Sequence, residues 1–172
     1  NAQESNDLEA CRNILWSRHY IHHPLRIHIQ LDTMRILILC TGNSCRSQMA
    51  HGILRSLHPD WEVHSAGTRP ALQVNPRAIQ VMAEIGIDIS DHTPKPVEEY
   101  LGQEWDYVIT VCGGANETCP AFLGKVRHRL HIGFEDPSET IGDEQTIMND
   151  FRRIRDQIKE LLPVAITENI KS

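Results

Sequence analysis

An unbroken apolar run from Ile36 to Cys40 is the feature that most limits what this chain can fold into. A strand that is apolar on both faces must be covered on both, and such strands belong to parallel sheets against which helices pack. The helical pattern of 46–57 begins directly after the following turn and ends before Pro59, which supplies the first such helix. The sequence therefore predicts an α/β protein whose first strand is Arg35–Cys40.

Strand and helix patterns alternate along the rest of the chain. Three further strands are predicted, at Trp61–Ala66, Tyr107–Val111 and Val126–Ile132. Strands separated by helices imply right-handed crossovers and a parallel sheet. We therefore expect a single domain with a four-stranded parallel sheet and helices on both faces.

Three helices follow the first one in this prediction. Asn75 supplies an N-cap for a helix that ends at Gly86, with Ile79, Met82 and Ala83 facing inward. Residues 94–101 are predicted to form a short helix. The last helix is long and begins near Asp143, and its apolar residues repeat at intervals of four and three. These residues are Ile147, Phe151, Ile154, Ile158 and Leu161.

Length and charge exclude several classes of protein. A chain of 172 residues corresponds to one domain. Its net charge of −6 argues against a general affinity for nucleic acid or for an anionic membrane. The longest apolar run is far shorter than the roughly 18 residues that cross a bilayer. We therefore expect neither a nucleic-acid partner nor a membrane partner.

Residues 1–33 differ in composition from the remainder. They hold four of the ten histidines and no glycine. Met34 then opens a segment typical of a protein start that runs directly into a buried strand. We expect residues 1–33 to be an N-terminal extension, followed by one compact domain over 34–172.

Five cysteines give a first indication of chemistry. They stand at positions 11, 40, 45, 112 and 119. An odd number in a chain large enough to form its own core does not resemble a secreted disulfide scaffold. A reducing compartment, the cytoplasm, is expected instead, where thiols are commonly catalytic, redox-active or metal-binding.

The segment from Cys40 to Ser47, Cys-Thr-Gly-Asn-Ser-Cys-Arg-Ser, joins the first strand to the first helix. In such a turn, successive backbone N–H groups point toward one place, and the helix N-terminus adds its positive dipole end. Gly42 and Asn43 are residue types that accept the positive φ angles of an anion-binding loop. The Arg46 guanidinium matches a tetrahedral oxyanion, and Ser47 is a further donor.

This arrangement favours the thiolate form of Cys40 and predicts a nucleophile aimed at phosphorus or arsenic. The oxyanion would be held by one continuous segment of the loop, comprising Thr41, Gly42, Asn43, Ser44, Cys45, Arg46 and Ser47. A structural thiol at Cys40 with a surface arginine at position 46 is the alternative interpretation. No Gly-Lys-Ser/Thr follows, so this is not a nucleotide-binding loop.

Two further features follow the later strands. Cys112 and Cys119 are separated by a polar, flexible segment and are expected to be redox partners; zinc ligation and idle buried thiols are the alternatives. An acid after the fourth strand would face the crevice that holds the Cys40 loop. Asp136 and Glu135 are equal candidates for a general acid from the sequence alone.

Taken together, these residues resemble the thioredoxin-coupled arsenate reductases, which share the fold of the low-molecular-weight tyrosine phosphatases. The resemblance extends from Met34 to about Leu162. Its most specific segments are Cys-Thr-Gly-Asn-Ser-Cys-Arg-Ser-Gln-Met-Ala (40–50), Ser-Ala-Gly (65–67), Val-Asn-Pro-Arg-Ala-Ile (74–79) and Asp-Ile-Ser-Asp-His-Thr (88–93). The Cys112/Cys119 pair and Asp136-Pro137 complete it.

The resemblance implies that Cys40 is the nucleophile, Arg46 the oxyanion clamp and Asp136 the acid. It implies that Cys112 and Cys119 are a disulfide relay that thioredoxin reduces. Asn43 would hold the shape of the loop, Ser47 would stabilise the thiolate, and Cys45 would have no relay role.

The resemblance also bears on cofactors and on the rival functions. It implies no organic cofactor and no catalytic metal. Some members of the family hold potassium through Asn43, Ser65 and two acids, which here are replaced by His51 and Lys95. Two alternative functions remain at this point: a phosphatase of the same fold and a non-catalytic thiol sensor. Ser138 stands where the phosphatases usually have an aromatic residue, which favours the reductase.

Overall fold

The protein is described by a computed structural model that covers residues 33–113 and 122–171. Four strands form one parallel sheet in the order β2-β1-β3-β4. Their bounds are β1 Arg35–Cys40, β2 Glu62–Gly67, β3 Glu104–Cys112 and β4 Lys125–Phe134. The predicted parallel sheet of four strands is confirmed.

Three α-helices accompany the sheet: α1 Arg46–Leu57, α2 Pro76–Ala83 and α3 Glu144–Lys171. Short 3-10 helices occur at Val97–Tyr100 and Pro137–Glu139. No helix in the described ranges is long and apolar enough to span a membrane. The predicted first helix coincides with α1, and Asn75 caps α2 by accepting a hydrogen bond from the Arg77 amide.

The two faces of the sheet are covered by helices, as expected, but unequally. Ile36 and Ile38 of β1 belong to the larger core, which they share with buried residues from all three α-helices. Leu37 and Leu39 point to the opposite face, where the 3-10 helix at Val97–Tyr100 and Trp105 cover them. All five apolar side chains of β1 are therefore buried, as its unbroken apolar sequence predicts.

The predicted helix over 94–101 is wrong in length, because only Val97–Tyr100 is helical. Pro94 and Pro96 account for the difference. A proline pushes the residue before it toward an extended conformation and removes a backbone donor, so the chain cannot form a helix until it has passed Pro96.

Two side chains predicted to face the core are exposed instead. Ala83 ends α2 on its solvent side, and Leu161 of α3 is 48% exposed. The core stripe of α3 continues through Leu162 and Ile166, both fully buried. A spacing of four and three has a period of 3.5 residues, whereas an α-helix has 3.6, so the buried face moves by one residue over several turns.

The strand order determines where a site can form. From β1 the chain adds β2 at one side of the sheet, and it then adds β3 and β4 at the other side of β1. The direction in which strands are added therefore reverses between β1 and β3. In open parallel sheets, ligands bind at the carboxyl edge beside such a reversal. The loop after Cys40 and the end of β3 at Cys112 meet at this place.

Candidate active site

The loop between β1 and α1 is held from outside by its carbonyl groups. The carbonyls of Thr41, Gly42 and Ser44 accept hydrogen bonds from the amides of residues 69, 71 and 75 at 2.8–2.9 Å. The C=O and N–H of a trans peptide point in opposite directions, so the amides that follow these carbonyls point into the loop. The Asn43 amide does so, and it donates to Cys40 Sγ at 3.1 Å. The loop therefore has the inward-pointing donors of an oxyanion site.

Asn43 fixes the shape of this loop. Its φ of 47° is the only positive φ of a non-glycine residue in the described parts of the chain. Its side-chain oxygen accepts from the Lys95 amide at 2.9 Å and from Gln48 Nε2 at 3.2 Å. The predicted positive φ is thus confirmed at Asn43, but Gly42 does not share it.

Gly67, the last residue of β2, allows the loop to lie close to the neighbouring strand. A Cβ at this position would be 2.6 Å from the Thr41 carbonyl oxygen and 3.0 Å from the Asn43 amide nitrogen. Both contacts are to backbone atoms, which cannot move aside without changing the loop. Glycine is therefore required here by close approach.

The Cys40 thiol lies at the floor of the loop and is 3% exposed. Its sulfur is 2.9 Å from Ser47 Oγ. Ser47 Oγ also accepts a hydrogen bond from Asn43 Nδ2 at 2.9 Å. The Asn43 amide, the Ser47 hydroxyl and the N-terminus of α1 thus surround one sulfur atom.

Arg46 and Asp136 are brought together from positions 90 residues apart in the sequence. Arg46 Nη2 is 2.6 Å from Asp136 Oδ2, and Arg46 Nη1 donates to the Phe134 carbonyl at 2.9 Å. Asp136 lies two residues past the end of β4, where a general acid was predicted. Glu135, the competing candidate, is 72% exposed and pairs with Arg153 instead. The geometry therefore favours Asp136.

Cys112 lies at the end of β3, the strand next to β1. Thr110 is paired with Leu39, so Cys112 stands one residue beyond the position opposite Cys40. Both cysteines are buried in the same core cluster, and adjacent strands are separated by about 4.8 Å. Cys119 lies outside the described residues, as do residues 1–32 of the predicted N-terminal extension.

Cys45 is also a loop cysteine, but its surroundings differ. Burial raises the pKa of its thiol to about 12, and the negative charges of Asp136 and Cys40 act in the same direction. Cys45 therefore stays a neutral thiol near neutral pH.

The residues present do not fit a potassium ion. Asn43 Oδ1 already accepts two hydrogen bonds, and Ser65 Oγ is 3.3 Å from His51 Nδ1. Burial lowers the pKa of His51 to about 3, with the charge of Lys95 among the further causes, so His51 is a neutral imidazole. Potassium prefers oxygen ligands, and a cation here would lie beside another cation.

Three residues without a predicted role in the chemistry are connected to the site. Gln48 Nε2 donates to the Asn43 carbonyl at 3.0 Å, and Gln48 Oε1 accepts from His92 Nδ1 at 2.9 Å. Ser138 donates to Asp136. The local sequence Asp-Pro-Ser could have indicated the last contact, because serine two residues after aspartate is typical of a side-chain turn.

Comparison with known proteins agrees with this site. The sequence matches the family described as low molecular weight phosphotyrosine protein phosphatase over residues 35–171. The chain belongs to this family.

Its relatives include arsenate reductases. That of Halalkalibacterium halodurans is 47% identical over 124 residues, which cover 72% of this chain and 88% of that protein. The arsenate reductase of Bacillus subtilis is 44% identical over 129 residues, covering 74% and 91%. The resemblance inferred from the sequence motifs is confirmed.

Solved structures show the same fold. An arsenate reductase in a phosphate-binding state superposes with a TM-score of 0.66 at 32% identity, covering 79% of this chain and 98% of that one. A low molecular weight protein tyrosine phosphatase from T. tengcongensis gives a TM-score of 0.59 at 27% identity, covering 79% and 99%.

Proposed function

We propose that this protein reduces arsenate to arsenite. The observation that carries the proposal is the position of Cys112 at the end of the strand adjacent to Cys40. A phosphatase needs one thiol, an arginine and an acid, and releases its intermediate to water. Reduction requires two electrons, which a second sulfur close to the first can supply.

In the first step, the Cys40 thiolate attacks arsenic and a hydroxyl group of arsenate leaves. Asp136 protonates this group so that it departs as water. The loop amides and Arg46 hold the remaining oxygens. The product is an enzyme-bound Cys40–arsenic(V) adduct.

In the second step, the Cys112 thiolate attacks Cys40 Sγ. The sulfur–arsenic bond breaks and its electron pair goes to arsenic, which leaves as arsenite, while the two sulfurs are oxidised to a Cys40–Cys112 disulfide. Cys119 then attacks Cys112, which restores the Cys40 thiolate and leaves a Cys112–Cys119 disulfide. An external dithiol reduces this bond.

The external dithiol is proposed to be thioredoxin, and the compartment the cytoplasm. Support comes from the family resemblance and from the number of cysteines. The proposed relay transfers the disulfide from Cys40 to Cys112 and Cys119, and Cys119 follows Cys112 by seven residues in the sequence. Cys40 is thereby released for the next turnover, and the external dithiol reduces the Cys112–Cys119 bond.

Phosphatase activity is the alternative, since Cys40, Arg46 and Asp136 would serve it equally well. One observation disfavours a phosphotyrosine substrate. Among the described tryptophans, tyrosines and phenylalanines, only Phe134 lies at the carboxyl edge of the sheet, and it is 2% exposed. No ring of these described residues is therefore available to stack against the tyrosyl ring of a substrate beside the Cys40 loop.

A coupled assay tests the proposal. Purified protein with thioredoxin, thioredoxin reductase and NADPH should consume NADPH when arsenate is added. Cys112→Ser should abolish this turnover, yet hydrolysis of 4-nitrophenyl phosphate should be retained at whatever rate the parent protein shows. Cys40→Ser, the matched control, should abolish both. Arsenate turnover by Cys112→Ser at the parent rate would contradict the relay.

A further inference from the structure

The Asp136 carboxylate is held at both of its oxygens. Oδ2 accepts from Arg46 Nη2 at 2.6 Å, on the side of the loop. Oδ1 accepts from the Ser138 amide at 3.0 Å and from Ser138 Oγ at 2.6 Å. The two oxygens therefore have different partners, and only Oδ2 is directed toward the oxyanion loop.

The two contacts from Ser138 have different significance. The amide contact caps the short 3-10 helix at Pro137–Glu139, and any residue except proline could provide it. The hydroxyl contact depends on the serine side chain. It is as short as the ion pair on the other oxygen, as expected for a hydroxyl that donates to a charged acceptor.

This division of partners matters for proton transfer. To protonate a leaving hydroxyl, Asp136 must carry its proton on the oxygen that faces the substrate. A neutral carboxyl group that accepts from Ser138 at Oδ1 carries its proton on Oδ2. Rotation of the carboxyl group about its last torsion, which is otherwise broad, would exchange the two oxygens.

We propose that the Ser138 hydroxyl is a positioning residue for the acid: it fixes Asp136 Oδ1 so that Oδ2 transfers the proton to the departing oxygen. The inference rests on the proposed reduction of arsenate. Arg46 pairs with Oδ2 in the structure. In the proposed mechanism Arg46 holds the oxyanion during turnover, and Ser138 is the side-chain constraint that stays on the carboxyl group.

Ser138→Ala removes the hydroxyl and keeps the capping amide. We expect kcat for arsenate reduction to fall by about three- to tenfold, the range for loss of one hydrogen bond between neutral groups, because the carboxyl that transfers the proton is neutral; KM should change little. Ser138→Thr keeps the hydroxyl and should restore kcat.

A double-mutant cycle separates positioning from a general structural effect. In the Asp136→Asn background, Ser138→Ala should have no further effect on kcat, because the residue acts only through the acid. An equal effect in both backgrounds, or an unchanged kcat of Ser138→Ala, would overturn the inference. If the parent protein does not turn over arsenate at all, the proposed function fails instead, which is a distinct result.

Discussion

Two cysteines of one loop, Cys40 and Cys45, have different environments although both are buried. Cys40 has the Asn43 amide and the Ser47 hydroxyl beside its sulfur. Cys45 Sγ has Ser44 Oγ at 3.7 Å as its hydrogen-bond partner among the described residues, and burial raises the pKa of Cys45 to about 12. The two thiols of this loop therefore differ in the hydrogen-bond partners of their sulfur atoms.

Alkylation should distinguish the two thiols. Iodoacetamide at pH 7.5, roughly one unit below the ordinary cysteine pKa, reacts with thiolates. We expect peptide mapping by mass spectrometry to find carbamidomethylated Cys40 and unmodified Cys45 in the folded protein. Both should be modified after denaturation in guanidinium. The Cys40→Ser variant is the control for Cys45. If Cys45 in this folded variant is alkylated as fast as in the denatured protein, the prediction is contradicted.

His51 predicts a pH dependence of stability. Its pKa is about 3 in the folded protein because of burial, with His92 at a ring-centroid distance of 4.5 Å as the next cause. In the unfolded chain it takes up a proton below about pH 6.5. The unfolded state thus binds more protons between these values. The contribution of neutral His51 to the free energy of unfolding is fully present above pH 6.5. It is lost as the pH falls toward 3, by up to about 1.4 kcal/mol per pH unit.

Urea unfolding of the parent and of His51→Gln measures this effect. As the pH is lowered from 7 to 4, the free energy of unfolding of the parent should fall more than that of His51→Gln, because the variant has no imidazole to protonate on unfolding. Constant ionic strength keeps other charge effects comparable. A difference that does not vary with pH would show that His51 is not buried in a neutral state.

At the scale of elements, α1 carries the oxyanion loop, so its packing determines the position of the site. Gly52 faces α2 and the segment that follows it. A Cβ there would be 2.6 Å from Ile89 Cγ2 and 3.1 Å from Met82 Cε. The close contact of α1 therefore depends on the absence of a side chain.

Gly52→Ala tests this packing. Alanine favours a helix by about 1 kcal/mol over glycine, yet overpacking of a core costs about 1–3 kcal/mol. We expect net destabilisation in urea unfolding and a lower kcat for arsenate. Ser56→Ala, at an exposed position of the same helix, should change neither by a comparable amount. Equal stability of the parent and Gly52→Ala would contradict the packing argument.

At the scale of the whole molecule, the relay requires sulfurs from separate parts of the chain. We predict that Cys119→Ser accumulates a Cys40–Cys112 disulfide after a single turnover with arsenate, because the next thiol is missing. Cys112→Ser should form neither disulfide of the relay. Mass-spectrometric mapping of arsenate-treated protein identifies the bonds. A dominant Cys40–Cys45 bond in Cys119→Ser would show that the relay is assigned wrongly.

The predicted extension leads to a second experiment at this scale. The family match spans residues 35–171, and the described core is built from residues after Met34. We expect a chain that begins at Met34 to have the melting temperature and arsenate turnover of the full chain. A large fall in either would show that residues 1–33 contribute to the domain.

The sequence by itself determined the parts of this protein that depend on neighbouring residues. The burial of β1, the length of α1, the Asn75 cap and the loop from Cys40 to Ser47 all follow from patterns within about a dozen residues. The apolar run, the helical periodicity and the position of the cysteine before an arginine carry this information locally.

Only the tertiary structure decided what depends on distant contacts. It distinguished Asp136 from Glu135, because one carboxylate reaches Arg46 across 90 residues of sequence while the other pairs with Arg153 at the surface. It placed Asn43 Oδ1 against the Lys95 amide, 52 residues away. Such contacts depend on how strands and helices pack together, and no local pattern specifies which of two equivalent side chains will meet a given partner.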